Sequence, residues 1–233
     1  MEFDRKLLPA RLIRRYKRFL ADIELSGETI TAHCPNTGSM LGCDAPGMPV
    51  WLSEHDNPRR KYRHTWELVE AMPGVLVGIH TGRTNGLVRE GIESGIIAEL
   101  NGYGELRPEI AYHNGRFDFL LSGGRRAPCY VEVKNVTAAV EGGVAIFPDA
   151  RSTRGTRHLH DLIALREDGN RAVMVYCAQR SDVTEIRPAD HIDPDYGAAM
   201  REAAGAGVEL LGYRCEVGTD VIRVAARVPV VLP

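Results

Sequence analysis

The sequence predicts an α/β-plus-β protein of two domains, an OB-like β-barrel over residues 1–80 and an α/β domain with a mixed sheet over residues 81–233. Short strand-like runs separated by turn signals fill the first part of the chain, the grammar of a small barrel. Beyond them, helix-like and strand-like segments alternate. One of these, Ala172–Cys177, is apolar without interruption, as a strand covered on both faces requires. With 233 residues, 44% of them hydrophobic, the chain is long and apolar enough for a buried core, which excludes a disordered class.

In the first domain, Leu12–Leu25 is expected as one extended segment that Ser26-Gly27-Glu28 turns into Thr29–His33. Pro35-Asn36-Thr37-Gly38 and Ala45-Pro46-Gly47 punctuate the next stretch, and Val50–Leu52, Thr65–Val69 and Val75–Ile79 complete the strands. Asn85 is then expected to cap a helix carrying Leu87, Val88 and Ile92, with a further turn at Ile96, Ile97 and Leu100. Ile110–Tyr112, Phe117–Leu121 and Cys129–Val136 are strands, the last two joined by a hairpin loop at Gly123–Pro128. A helix over Thr153–Glu167, the strand at Ala172–Cys177, a helix from Pro194 to Ala204 and strands at Val208–Tyr213 and Val221–Val228 finish the chain.

No run of about 18 apolar residues occurs, so no membrane span is expected, and the opening segment lacks the apolar stretch of a secretory signal. The five cysteines are odd in number and widely spaced, without a Cys-x-x-Cys pair, which points to the reducing cytoplasm. His33, Cys34 and Cys43 lack a fourth partner for a zinc site.

Net charge is only −2, but its distribution is uneven. Arg11, Arg14, Arg15, Lys17 and Arg18 stand in a stretch free of acids, and Arg59, Arg60, Lys61 and Arg63 interleave with Tyr62 and His64. Cations with aromatics between them suit a phosphate backbone, so DNA is the expected partner, read with little sequence preference. Arg151, Arg154 and His158 recur at i, i+3 and i+7 at the start of the second-domain helix, where Ser152 or Thr153 offers a cap and free N–H groups favour an anion.

The chemistry concentrates in Arg116–Leu120 and Tyr130–Lys134. Strand alternation puts Glu132 and Lys134 on one face, and a hairpin brings Asp118 toward Glu132. Two converging carboxylates repel unless a cation separates them, and hard oxygen donors suit Mg²⁺ or Mn²⁺. Lys134 would then activate a water or offset charge on a scissile phosphate. A third carboxylate is expected from the preceding helix, with Glu90 the first candidate and Glu99 the second.

His33–Met40, Lys61–Leu68, Glu132–Thr137 and Phe147–Ala150 together resemble the sugar fermentation stimulation protein A family, in the same order from Arg14 nearly to the C-terminus. The resemblance implies an N-terminal OB-like domain, a C-terminal domain like the PD-(D/E)xK nucleases, and a bacterial DNA-binding protein tied to regulation of sugar, particularly maltose, utilisation. The nuclease-like pattern then falls on Asp118, Glu132 and Lys134, with Glu90 or Glu99 as the helix acid. Many relatives carry an acid just before the Arg-Gly pair, where this chain has Thr153 before Arg154-Gly155. Two functions stay open: DNA binding at an inherited ion site, or a Mg-dependent DNA phosphodiesterase using Asp118, Glu132 and Lys134.

Overall fold

The computed structural model describes residues 1–113 and 115–233, the side chain of Glu141 excepted. Six strands open the chain: β1 (Leu8–Tyr16), β2 (Leu20–Leu25), β3 (Glu28–His33), β4 (Pro49–Glu54), β5 (His64–Met72) and β6 (Val75–Gly78). They lie in the order β3-β2-β1-β4-β5-β6, and a parallel contact between His33 and Thr65 joins β3 to β5, closing a five-stranded OB barrel. Alternation fills it: Ala21 and Ile23 of β2 point inward with Leu12, Leu52 and Trp66, while Asp22 and Glu24 point out. Leu12–Leu25 is not one extended segment. It breaks into the β1–β2 hairpin, turned at Lys17 and Arg18, both at positive φ (51° and 65°). Neither residue type advertises that conformation, which glycine or asparagine usually supplies.

The second domain begins with a 3₁₀ turn at Thr81–Arg83 and continues with α1 (Thr84–Glu93) and a second 3₁₀ turn at Ala98–Leu100. Strands β7 (Glu105–Tyr112), β8 (Gly115–Ser122), β9 (Cys129–Val136) and β10 (Val144–Phe147) come next. Then come α2 (Thr153–Glu167), β11 (Arg171–Ala178), β12 (Glu185–Pro188), α3 (Pro194–Gly205), β13 (Glu209–Val217) and β14 (Ile222–Val228). The large sheet is ordered β14-β13-β11-β9-β8-β7. Strands β9, β11 and β13 run parallel, while β7, β8 and β14 pair antiparallel with their neighbours. This is the mixed sheet of an α/β domain. Helix α1 covers one face, packing Leu87, Val88 and Ile92 with Val131, Val133 and Val175. Helices α2 and α3 cover the other with Leu159, Leu162 and Met200 against Met174 and Tyr176. The uninterrupted apolar run of β11 is therefore buried on both sides, as its composition requires.

Two further features depart from the expected elements. Strands β10 and β12 form a separate parallel pair that their four-residue lengths concealed. Asn85 does not cap α1; the cap position is Arg83, with no side-chain hydrogen bond, and Asn85 lies inside the first turn. The barrel is fixed to the α/β domain by backbone as well as by packing. Gly78 N–H donates to the Gln179 carbonyl at 2.8 Å, and Leu68 of β5 belongs to the core on the α1 side of the large sheet. No helix is long and apolar enough to cross a membrane.

Candidate metal and nucleic-acid site

Strands β8 and β9 pair from Leu121↔Cys129 to Phe119↔Val131 and then part. Parting strands leave backbone donors without partners, and Asp118 supplies one: its Oδ2 accepts the Val133 N–H at 2.7 Å. Its Oδ1 accepts from Asn85 Nδ2 at 2.7 Å. Helix α1 therefore does reach Asp118, but through an amide. Glu90 instead binds the terminal ammonium of Met1, and Glu99 binds Tyr213 Oη and Arg227 on β13 and β14. Neither glutamate is brought to Asp118; the α1 side chain that reaches it is Asn85. Glu90 is held instead at the protein surface, its side chain 51% exposed, by the Met1 ammonium.

Glu132 and Lys134 share the α2 side of β9, as alternation requires. Glu132 is only 4% exposed, and its Oε1 accepts from Lys134 Nζ at 2.7 Å and from His158 Nδ1. His158, also 4% exposed, stands on the first half of α2, and its Nε2 lies 3.3 Å from Arg154 Nε. Arginine only donates, so Nε2 is placed to accept, while Nδ1 faces Glu132 Oε1, with Lys134 Nζ 3.3 Å away on the same side. His158 is thus not part of an exposed phosphate-binding stripe with Arg151 and Arg154. It faces inward because α2 packs its Leu159–Leu162 side on the sheet, and the position beside Leu159 meets β9.

The two carboxylates are driven in opposite directions. Burial, and after it the charge of Glu132, pushes the Asp118 carboxyl above its ordinary value against the Val133 and Asn85 hydrogen bonds. Burial would also raise Glu132, but the His158 hydrogen bond and the Lys134 charge outweigh it and hold Glu132 below the usual range. Asp118 therefore takes up a proton more readily than Glu132. Glu132 Oε2 is buried with no hydrogen-bond partner among the described residues. An unpartnered carboxylate oxygen beside a second carboxyl fits a hard divalent cation. Among the described residues no group of three His, Cys, Asp or Glu side chains converges, so the protein would contribute these two carboxylates to such an ion.

One buried amide holds the surroundings. Gln179 Nε2 donates to Asn135 Oδ1 at 2.7 Å and to Thr84 Oγ1 at 3.1 Å, tying the residue after Lys134 to the residue before Asn85.

Of the barrel cations, five are already engaged. Arg15 is buried, its side chain 8% exposed, and donates to the carbonyls of Arg18, Asn36, Gly38 and Ser39. It is a brace for the 36–40 loop, not a phosphate contact. Arg14 pairs with Asp22 at 2.8 Å, Arg63 with Glu54 at 2.9 Å, Arg11 donates to the Gly47 carbonyl, and Arg60 to Thr65 Oγ1. Lys17, Arg18, Arg59 and Lys61 are exposed without side-chain partners of this kind among the described residues, and so is Arg151. Beside Lys17 and Arg18, Phe19 is 46% exposed.

The fold and the site define a class: an OB barrel joined to a mixed-sheet α/β domain in which carboxylates, a lysine and a histidine gather where β8 and β9 part. The chain belongs to the sugar fermentation stimulation protein family. Residues 13–79 match the SfsA N-terminal OB domain and residues 82–220 the sugar fermentation stimulation protein RE domain. It is 58% identical over 220 residues to the sugar fermentation stimulation protein homolog of Thioalkalivibrio sulfidiphilus, covering 93% of this chain and 92% of that one. The homolog of Halorhodospira halophila is 53% identical over 235 residues, covering 99% and 98%. Among solved structures, Pyrococcus furiosus SfsA in complex with Ca²⁺ superimposes with a TM-score of 0.88 at 27% identity, covering 99% of this chain and 98% of that one.

Proposed function

We propose that this chain is a cytoplasmic DNA-binding protein of low sequence specificity whose second domain holds a divalent metal ion, Mg²⁺ or Mn²⁺, between Asp118 and Glu132. Residues 1–80 act as the nucleic-acid-binding domain and residues 81–233 as the metal-bearing one. The family's link to sugar utilisation makes the DNA role regulatory, with maltose genes the first place to look. All five cysteines are free and buried, in keeping with a reducing compartment.

The observation that carries the metal reading is the buried, unpartnered Glu132 Oε2 beside a carboxyl raised by burial and, after it, by its neighbour's charge. The SfsA of Pyrococcus furiosus was solved with Ca²⁺, an ion that takes the same oxygen donors. When bound, such an ion supplies Lewis-acid stabilisation of charge on a phosphate oxygen. The chain's own groups do the rest. His158 donates to Glu132 and keeps it ionised, Asn85 and the Val133 amide fix the orientation of Asp118, and Lys134 places its ammonium at the open edge of the pair. Lys17, Arg18, Arg59 and Lys61 hold backbone phosphates on the barrel, and Arg151 and Arg154 hold them near the metal.

A second reading, a Mg-dependent DNA phosphodiesterase, is favoured by the contact of Lys134 with Glu132, which sets an ammonium where a scissile phosphate would approach. One experiment addresses both. Single- and double-stranded DNA are incubated with wild type, Glu132→Gln and Lys134→Ala, with Mg²⁺, Mn²⁺ or chelator. Binding in all three proteins without cleavage supports the regulatory reading, and metal-dependent cleavage lost in both variants supports the phosphodiesterase. Absence of DNA binding by wild type at low salt overturns both.

A further inference from the structure

The parallel strands β9, β11 and β13 begin at the end of the sheet opposite the carboxylates, at Cys129, Arg171 and Glu209. Glu132 lies about 10 Å further along β9 and Lys134 about 16 Å, at roughly 3.3 Å per residue. At this far end is an open cavity of about 480 Å³ lined by Arg126, Ala127, Arg166, Arg171, Gly207 and Glu209. Its charge is uneven. The one carboxylate, Glu209, is fully engaged by Arg171, whose Nε and Nη2 reach its two oxygens at 2.5 and 2.7 Å. Arg126 and Arg166 pair with no carboxylate among the described residues. Arg126 Nη1 donates only to the carbonyls of Glu99 and Asn101, at 3.3 and 3.1 Å. Arg166 uses Nη1 on the Asn170 carbonyl at 3.0 Å, and its Nε is buried with no partner.

Arg166 Nε is closed off from the cavity, and the donors left open to an anion are Arg166 Nη2 and Arg126 Nε and Nη2, none of which has a hydrogen-bond partner among the described residues. Gly207 makes the approach possible. It sits at φ +86°, and a Cβ there would stand 3.3 Å from Arg166 Nη2 and 3.4 Å from Nε, crowding the guanidinium face that looks into the cavity. The planar fork of arginine matches the oxygens of carboxylates and phosphates, and two arginines together suit the larger charge of a phosphate. The volume exceeds what a bare phosphate needs and lies in the range of small-ligand pockets.

We propose that this cavity binds the phosphate of a phosphomonoester, carried either by a free nucleotide or by the phosphorylated end of a nucleic-acid strand, through Arg126 and Arg166. The site stands apart from Asp118 and Glu132 and does not depend on a metal there.

The test is titration calorimetry in chelator, which silences any metal site, with adenosine 5′-monophosphate, adenosine, and one short oligonucleotide bearing a 5′-phosphate or a 5′-hydroxyl. The monophosphate is expected to bind at least about tenfold tighter than adenosine, and Arg166→Met and Arg126→Gln each to lose about tenfold of that affinity, the effect of removing one charged hydrogen-bond donor. Arg125→Ala, next in sequence but off the cavity, keeps wild-type affinity. Arg126 is exposed, so its variant reports binding even if Arg166→Met folds poorly. A phosphorylated strand that binds tighter than the monophosphate, and loses the gain in Arg126→Gln, names the strand end as the source. Equal affinity of the two names the free nucleotide. Equal binding of monophosphate and adenosine, or unchanged monophosphate binding in Arg126→Gln, overturns the proposal.

Discussion

The Met40 amide donates to Asp149 Oδ2 at 3.0 Å, so a loop of the barrel is held by the residue three places before the Ser152 cap of α2. The same carboxylate lies over Gly38, where an added Cβ would come within 2.6 and 2.8 Å of its oxygens. Arg15 braces this loop from the barrel side through the carbonyls of Asn36, Gly38 and Ser39. Gly38→Ala should therefore push Asp149 off the Met40 amide and destabilise the protein by about 1–3 kcal/mol, the usual cost of overpacking. For a chain of this size that is a fall in melting temperature of about 2–4 °C per kcal/mol, readable by calorimetry. An unchanged melting temperature would show that the two domains do not meet through this contact.

Acid stability should depend on Glu67. It is 1% exposed inside the barrel wall, where Arg83 donates to both its oxygens at 2.8 and 3.0 Å and Ser53 adds a third hydrogen bond. Burial alone would raise its carboxyl, but the Arg83 hydrogen bonds, the nearby His80 and the Arg83 charge outweigh burial and hold it below the ordinary value. A carboxylate lowered in the folded state gives stability that is complete above the unfolded value of about 4.3 and is lost as pH falls through the lower folded value. Urea unfolding from pH 7 to pH 3 should show that loss in wild type. Glu67→Gln should start about 1–3 kcal/mol less stable at pH 7 and show a flatter acid limb.

Much of this architecture is legible from local pattern. The Glu132–Lys134 face follows from strand alternation, and α2 begins and ends where its periodicity says. What escapes is set by long-range partners. Arg15 and Arg18 look alike in sequence, yet one is buried on carbonyls of a loop some twenty residues away and the other is exposed. Asn85 reads as a helix cap, and only the parting of β8 from β9 turns it toward Asp118. Glu90 reads as a metal ligand until the terminal ammonium claims it.

DNA affinity should fall with salt in proportion to the cations left free. Lys17, Arg18, Arg59, Lys61 and Arg151 are exposed and pair with no carboxylate among the described residues, so neutralising about five phosphates gives a log–log slope of about −4 to −5. The double variant Lys17→Ala, Arg18→Ala should reduce that slope by about 1.8, whereas Arg14→Ala, whose charge is spent on Asp22, should leave it nearly unchanged. Phe19→Ala tests a different contribution. If single strands stack on this exposed ring, affinity for them drops by about 1–3 kcal/mol with no change of slope. Fluorescence anisotropy across a salt series reads both effects, and a wild-type slope near zero would defeat the electrostatic account.

His158 should matter through Glu132 and not through DNA. Its Nδ1 donates to Glu132 Oε1, and Arg154 steadies the ring from the other side. His158→Ala removes one donor from a buried carboxylate and leaves a void beside Leu159, a loss of about 1–3 kcal/mol in stability. With less to hold it ionised, Glu132 becomes a poorer partner for a cation, and a neighbour of this kind is worth about 10–100-fold in metal affinity. His158→Asn can keep a donor near Glu132 and should recover part of both losses. Mn²⁺ titration followed by calorimetry, with denaturant unfolding of the same three proteins, separates the effects. Full Mn²⁺ affinity in His158→Ala would remove the histidine from the site and leave it as ordinary packing between α2 and β9.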